Sequence, residues 1–229
     1  MAIPKTIIQT FKTSKLPFLT RWHIRMLKKR NPEYDYQFYD DVKIDGFIKD
    51  EFGQEIFDLY KKINIGAAKA DFFRYAVLYK NGGVYLDVDS LILNKLDDFI
   101  LPNDSAIISL ERNLKYYVQW ALVFEAGHPF LKKTLEIVLN NIKENKYPHD
   151  VHKMTGPSAY SLAISECLIE SPNIQYRQLG VDYDSMFRFS YPMSKFFLYG
   201  LSRKNHWKKQ LTTGTVLIDD DTPQIGQIV

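Results

Sequence analysis

Gly82-Gly83 separates two stretches of opposite periodicity, and this junction constrains the fold more than any other feature of the chain. From Asn64 to Lys80 the residues are rich in Ala, Leu, Phe and Tyr, with no Pro or Gly after Gly66. That predicts a helix capped by Asn64 and stopped in the left-handed conformation at Asn81-Gly82-Gly83. After the glycines, Val84, Leu86 and Val88 alternate with Tyr85, Asp87 and Asp89, so an extended backbone turns the two sets to opposite faces. Asp71 and Arg74, three apart, share one face of the helix. Asp87 and Asp89 share one face of the strand.

Two carboxylates at the end of an apolar strand repel one another and resist desolvation unless something cationic meets them. A hard divalent ion is one answer, because carboxylates suit Mg²⁺ or Mn²⁺ and such ions keep positions open for water and substrate phosphate oxygens. Plain solvation of an acidic strand end is the other. For Asp71 and Arg74 the corresponding alternative is a structural ion pair one helical turn apart.

The rest of the chain supplies an α/β pattern. Thr6 to Phe11 reads as a first strand after Pro4, and Pro17 opens a helix running to Arg30 with Trp22, Met26 and Leu27 near one face and Arg21, Arg25, Lys28, Lys29 and Arg30 elsewhere. Such a basic helix either lies on an anionic membrane or stands in solvent with its last cations at the negative dipole end. Tyr34, Tyr36 and Phe38 alternate as a second strand, and helical segments follow over 42–50 and 54–63. Strands are expected over 105–111 and 116–124, and the run NIQYRQL from Asn173 to Leu179 is strand-like. Helices are expected over 130–143, opened by His128-Pro129, and from Pro157 to Glu170 behind Thr155-Gly156. Strands alternating with helices predict a sheet covered by helices.

Composition narrows the function classes. The 229 residues, 45% of them hydrophobic, suffice for one sizeable core, and a net charge of +3 is too small to argue for a nucleic-acid partner. The single Cys167 excludes an intrachain disulfide and a cysteine zinc cluster, fits a reducing compartment, and lies in an apolar helical run as core. No run of apolar residues is long enough for a membrane span, and the N-terminus lacks a signal-peptide pattern; the expectation is a cytoplasmic protein, neither secreted nor membrane-spanning. With no repeats and no Gly, Ser or Pro-rich linker, one domain over 1–229 is the economical reading, its segment from about 200 to 229 serving as a mobile flap.

ADFFRY followed by NGGVYLDVD resembles the nucleotide-sugar glycosyltransferases of family 32, whose catalytic core is similar to that of the clostridial glucosylating toxins. The resemblance rests on Asp71, Arg74, the double glycine, Tyr85, Asp87 and Asp89 in order, with weaker echoes in IPKTIIQTFKT, GHPF, TGP and His206-Trp207. It implies a GT-A-like mixed sheet flanked by helices, a Rossmann-like nucleotide-sugar-binding domain. The implied reaction is metal-dependent and retaining, moving a sugar from a nucleoside diphosphate to a hydroxyl acceptor in surface polysaccharide, capsule or glycolipid synthesis. A UDP-sugar is the first donor expected and a GDP-sugar the second. The acceptor is a saccharide, free or lipid-linked, with peripheral contact at the inner membrane face.

The same resemblance assigns roles. Asp87 and Asp89 hold Mn²⁺ or Mg²⁺ on the donor diphosphate, joined by His206, while Asp71 and Arg74 contact donor sugar and ribose hydroxyls. Gln119 stands where an amide near the sugar is expected, and Ile8, Gln9, Thr10, Tyr85 and Gly156 line the donor. The family pattern departs at Ile8 and Phe11, where His and Trp are common, and in a missing Ser-Trp after His206-Trp207. Two other readings use the same residues. A haloacid-dehalogenase-like phosphatase would take Asp87 as nucleophile and Asp89 as general acid, with Asp219, Asp220 and Asp221 at a Mg²⁺ site, although it leaves Asp71 and Arg74 without a role. A non-catalytic sugar- or nucleotide-binding module is the third.

Overall fold

The structure, a computed structural model, describes residues 2–200 and 214–218. His206, Trp207 and Asp219 to Asp221 lie outside the described residues, as does most of the expected flap.

Six strands form one mixed sheet in the order β2-β1-β3-β6-β5-β7. They are β1 (Thr6–Thr10), β2 (Asp35–Tyr39), β3 (Gly83–Leu86), β5 (Ala106–Ser109), β6 (Ala121–Phe124) and β7 (Arg177–Leu179), and β6 alone among them runs antiparallel to its neighbours. A small ladder pairs β4 (Leu91–Ile92) with β8 (Phe187–Arg188). The helices are α1 (Phe18–Arg30), α2 (Asp41–Lys61), α3 (Gly66–Asn81), α4 (Pro129–Lys143), α5 (Val151–Met154), α6 (Pro157–Glu170) and α7 (Ser194–Tyr199). The expected mixed sheet flanked by helices is therefore present. Among the described residues no helix is long and apolar enough to cross a membrane.

Strand alternation divides the core into two layers. Ile8, Tyr85, Ile108, Leu122 and Phe124 face a cluster built with α2, α3, α4 and α6, whereas Ile7, Val84, Leu86, Ile107 and Val123 face a second cluster with Leu27, Leu96, Tyr183 and Phe187. Nearly every residue from Ala68 to Leu78 on α3 is buried, so this helix is a core element and not a surface one. Cys167 is buried, as expected of a core thiol.

The double glycine is required by space as well as by turn geometry. Gly82 has φ 65°, and a Cβ there would stand 2.7 Å from the Ala126 nitrogen and 2.8 Å from Pro4 Cδ. Gly83 has φ 109°, and its Cβ would stand 2.8 Å from the Thr6 carbonyl oxygen. L side chains are disfavoured at both conformations, so the glycines let β3 enter the sheet tightly against β1 and the chain beyond β6.

Several boundaries differ from the sequence expectation. Asn64 does not cap α3: its N–H donates to the Val216 carbonyl at 2.8 Å, holding the chain extended, and Ile65 takes the cap position without a side-chain bond. The segments 42–50 and 54–63 join as α2, with the break confined to Gly53 at φ 80°. The strand after the glycines ends at Leu86, so Asp89 lies in a turn closed by Ser90 N–H donating to the Asp87 carbonyl at 2.9 Å. The strand expected over 116–124 shortens to β6, because Asn113 Oδ1 accepts from Lys115 and Tyr116 N–H and tightens the preceding loop. His128 opens α4 as expected, its Nδ1 accepting from Phe130 N–H at 3.2 Å.

Candidate active site

The site is assembled where β3 ends, between parallel β1 and antiparallel β6. Crevices at the carboxyl ends of strands are where α/β sheets bind ligands. Asp87 N–H donates to the Trp120 carbonyl at 2.9 Å, one bond past the β3–β6 ladder, so the backbone of the Asp-x-Asp segment is anchored to the strand beside it.

Arg74 is the hub. Its guanidinium is almost wholly buried, stacks on the Tyr85 ring at 4.8 Å, and places Nη2 3.0 Å from Asp87 Oδ1 and 3.4 Å from Asp71 Oδ1. Nη1 donates to the Gln119 carbonyl at 2.8 Å and Nε to the Ala70 carbonyl at 3.2 Å. Burial works against the charge, but Asp87, Tyr85 and Asp71 hold the guanidinium protonated. The planar fork serves both carboxylates and a carbonyl together.

Asp71 is buried and its two oxygens accept from different elements, Oδ1 from Gln119 Nε2 at 2.7 Å and Oδ2 from Thr155 Oγ1 at 3.0 Å. Burial raises its pKa, while Arg74 and the two donors oppose that rise by favouring the carboxylate. Tyr75 closes the network, since its hydroxyl accepts from Gln119 Nε2 at 2.8 Å and donates to the Thr155 carbonyl at 3.1 Å. The i, i+3 pair is therefore buried and multiply bonded, unlike an exposed helical ion pair.

Asp87 and Asp89 are only partly buried and open to solvent. Among the described residues, every side-chain partner of Asp87 meets Oδ1: Arg74, and the Tyr85 hydroxyl at 3.2 Å. Desolvation raises the Asp87 pKa against the pull of Arg74. Asp89 Oδ2 accepts from Ser194 Oγ at 3.0 Å, and its pKa rises to about 6, first through desolvation and then through the charge of Asp87. The pair therefore shares one space, but through a turn and not through strand alternation.

This arrangement suits a divalent ion. Two carboxylates, Asp71 and Asp87, meet the Arg74 guanidinium, and a third, Asp89, stands beside Asp87 with the Lys195 ammonium acting on it from further away, so negative charge is left over at the open side. Among the described residues no group of three or more His, Cys, Asp or Glu forms a closed metal cage. Two carboxylates with open positions are the donor set that Mg²⁺ or Mn²⁺ accepts when phosphate and water complete the shell.

The remaining expected residues fall in three places. Gln9 is buried, its Nε2 donating to the Asp87 carbonyl at 3.1 Å and its Oε1 accepting from the Tyr36 hydroxyl at 3.1 Å, so it supports the acidic turn. Thr10 on β1 donates to the Tyr39 carbonyl of neighbouring β2 at 2.8 Å, whereas the Ile8 side chain is wholly inside the core. Gly156 N–H is committed to the Val151 carbonyl at 2.9 Å, and a Cβ there would meet His152 Cα at 2.9 Å. Gly156 thus lets α5 and α6 pack closely, and the Thr-Gly-Pro turn reaches the site through Thr155. The sequence does not mark Tyr75, Tyr36 and Ser194 as site residues, and Thr155 enters only within the TGP echo; Tyr75, one turn after Asp71 on the same helix, leaves a readable signal.

Residues 17–107 match the model of the glycosyltransferase sugar-binding region containing the DXD motif. An uncharacterised glycosyltransferase of Acanthamoeba polyphaga mimivirus is 42% identical over 155 residues, covering 67% of this chain and 60% of the relative. Inositol phosphoceramide mannosyltransferase 3 of Schizosaccharomyces pombe is 29% identical over 143 residues, covering 61% of this chain and 37% of the relative. The chain thus spans less than two thirds of either relative. Among solved structures, the PaToxG glycosyltransferase superposes with a TM-score of 0.56 at 20% identity, covering 75% of this chain and 71% of that one, which supports the GT-A-like fold. The match over residues 17–107 favours the glycosyltransferase reading over the phosphatase one, which also leaves the buried Asp71–Arg74 pair without a role. That match and these relatives support a nucleotide-sugar glycosyltransferase whose sugar-binding region contains the DXD motif.

Proposed function

We propose that residues 1–229 form one domain that transfers a sugar from a nucleoside-diphosphate donor to a hydroxyl acceptor, with retention at the anomeric carbon. The observation that carries the reading is the half-open Asp87–Asp89 pair, anchored to β6 on one side and to the buried Arg74–Asp71–Gln119 network on the other. Asp87 and Asp89 would hold Mn²⁺ or Mg²⁺, whose chemistry there is Lewis-acid neutralisation of charge growing on the leaving diphosphate. Arg74 holds Asp87 in place and favours the Asp71 carboxylate against burial, and Asp71, held by the Gln119 amide, would accept from donor hydroxyls. Retention and a ligand role for His206 rest on the family resemblance. The relative that mannosylates inositol phosphoceramide supports a hexose donor and a glycolipid or glycan acceptor.

The test is donor hydrolysis with UDP-, GDP- and dTDP-sugars, with and without Mn²⁺, followed by the anomeric configuration of the product by NMR. One donor should turn over only with the ion, and Asp87→Ala and Asp89→Ala should each abolish that turnover while circular dichroism stays native. Binding of a nucleotide without turnover of any donor or acceptor would leave a non-catalytic binding module as the reading.

A further inference from the structure

The first 32 residues hold eight Lys and Arg and no Asp or Glu, and the run from Ser185 to Ile218 is also free of acidic residues. The chain has 27 acidic residues in all, so these two gaps depart from its average composition. The fold brings their described parts together. Helix α1 packs against α7, His23 stacks on Tyr191 with ring centroids 4.3 Å apart, and the Thr20 and Tyr191 hydroxyls share a buried hydrogen bond of 2.6 Å.

The outer face of α1 is not merely basic. Phe18, Trp22 and Met26 follow one another at four-residue spacing and are all exposed, Phe18 at 70% of its surface. Arg21, Arg25 and Lys29 run beside them at the same spacing and are exposed too. On α7, Phe196 and Phe197 are exposed next to Lys195. A solvated helix accounts for the cations but not for a row of large apolar side chains, and contiguous exposed apolar surface marks an interaction site.

We propose that this α1–α7 face docks on an anionic lipid surface. Aromatic rings settle at the headgroup boundary while adjacent Lys and Arg meet lipid anions, and the two groups flank one another here as such a surface requires. A second copy of the face would set cation against cation. A nucleic-acid strand would use the cations but leave Phe18 and Met26 uncovered. The patch also borders the acidic turn, because Tyr191 N–H donates to the Asp89 carbonyl at 2.9 Å and Ser194 to its carboxylate. Docking would therefore hold the Asp87–Asp89 opening beside the lipid surface. The proposal does not depend on glycosyl transfer, and its test reads no turnover.

The full chain is sedimented with vesicles of phosphatidylcholine alone and of phosphatidylcholine mixed with phosphatidylserine, with tryptophan emission followed in parallel. Binding is expected only with phosphatidylserine present, weakened by salt and accompanied by a blue shift that Trp22→Phe removes. Arg25→Ala combined with Lys29→Ala should lower the affinity about twenty-five-fold, at roughly fivefold per cation. Phe18→Ser combined with Trp22→Ser should abolish binding with little change in thermal melting, since both side chains are exposed. No binding to the phosphatidylserine vesicles, or wild-type binding by both double variants, overturns the proposal. So does a wild-type dimer or a single-stranded oligonucleotide complex that these variants disrupt without any vesicle effect.

Discussion

Arg74 Nη2 lies 3.0 Å from Asp87 Oδ1, and through this contact the buried helix α3 is tied to the half-open acidic turn that ends β3. Both the chemistry and the stability of the site pass through that guanidinium. Removing one partner of a buried charge network strands the others. Arg74→Ala should cost roughly 3–5 kcal/mol in urea unfolding. Arg74→Lys keeps the charge but cannot serve the Gln119 carbonyl, Asp71 and Asp87 together, so it should recover part of the stability while donor turnover stays low. Near-wild-type turnover in Arg74→Lys would show that only the charge matters.

Thr155 supplies the matching contact from the far side of Asp71. Its hydroxyl is fully buried and donates to Oδ2. Thr155→Val keeps the shape and removes the donor, which should cost about 1–3 kcal/mol, the penalty for a buried acceptor left unsatisfied. Thr155→Ser restores the hydroxyl and should recover most of it. Comparing kcat and KM for the two variants separates a positioning role from a purely structural one: positioning of Asp71 predicts a turnover defect in Val that Ser repairs.

The sequence reveals the junction at Gly82-Gly83 because periodicity on both sides is governed by local backbone geometry, and it reveals Asp71, Arg74, Asp87 and Asp89 because ionisable residues inside apolar runs have few bland explanations. It does not reveal that Asp89 leaves the strand, since the turn is set by hydrogen bonds to Asp87 and to Tyr191, a residue far along the chain. Asn64 misleads for the same reason: a good cap is overruled by pairing with Val216. Thr155 and Ser194 meet their carboxylates across 84 and 105 positions, and no local pattern encodes a contact of that span. Ile8 is expected at the donor by its place in the resemblance, yet the alternation of β1 sends its side chain into the core.

Gly82 offers a test of how closely the site depends on the turn before it. An added Cβ at φ 65° would press on the Ala126 nitrogen and the Phe124 carbonyl. Backbone strain and overpacking together should make Gly82→Ala less stable by about 2–5 kcal/mol. Because β3 would be displaced from β6, donor binding should weaken as well; thermal melting and nucleotide titration on the same sample check both. A variant with unaltered melting would mean the junction relaxes without cost.

Asp89 makes the site sensitive to pH in two opposite ways. Its folded-state pKa of about 6 lies above the ordinary carboxylate value of 3.8, raised by desolvation and by Asp87. Without an ion, the native state therefore binds more protons than the unfolded chain between these values, so the contribution of Asp89 is most favourable below the lower value and is lost as pH rises through about 6. A cation needs the opposite form, the carboxylate, and must displace the proton. Mn²⁺ affinity, read by calorimetry without any nucleotide, should accordingly fall about tenfold from about pH 7 to about pH 5. Asp89→Asn keeps an oxygen for Ser194 but carries no charge; it should flatten the pH dependence of melting near pH 6 and abolish the Mn²⁺ titration. An affinity that stays constant from neutral to acidic pH in the wild type would mean that Asp89 is not a ligand of the ion.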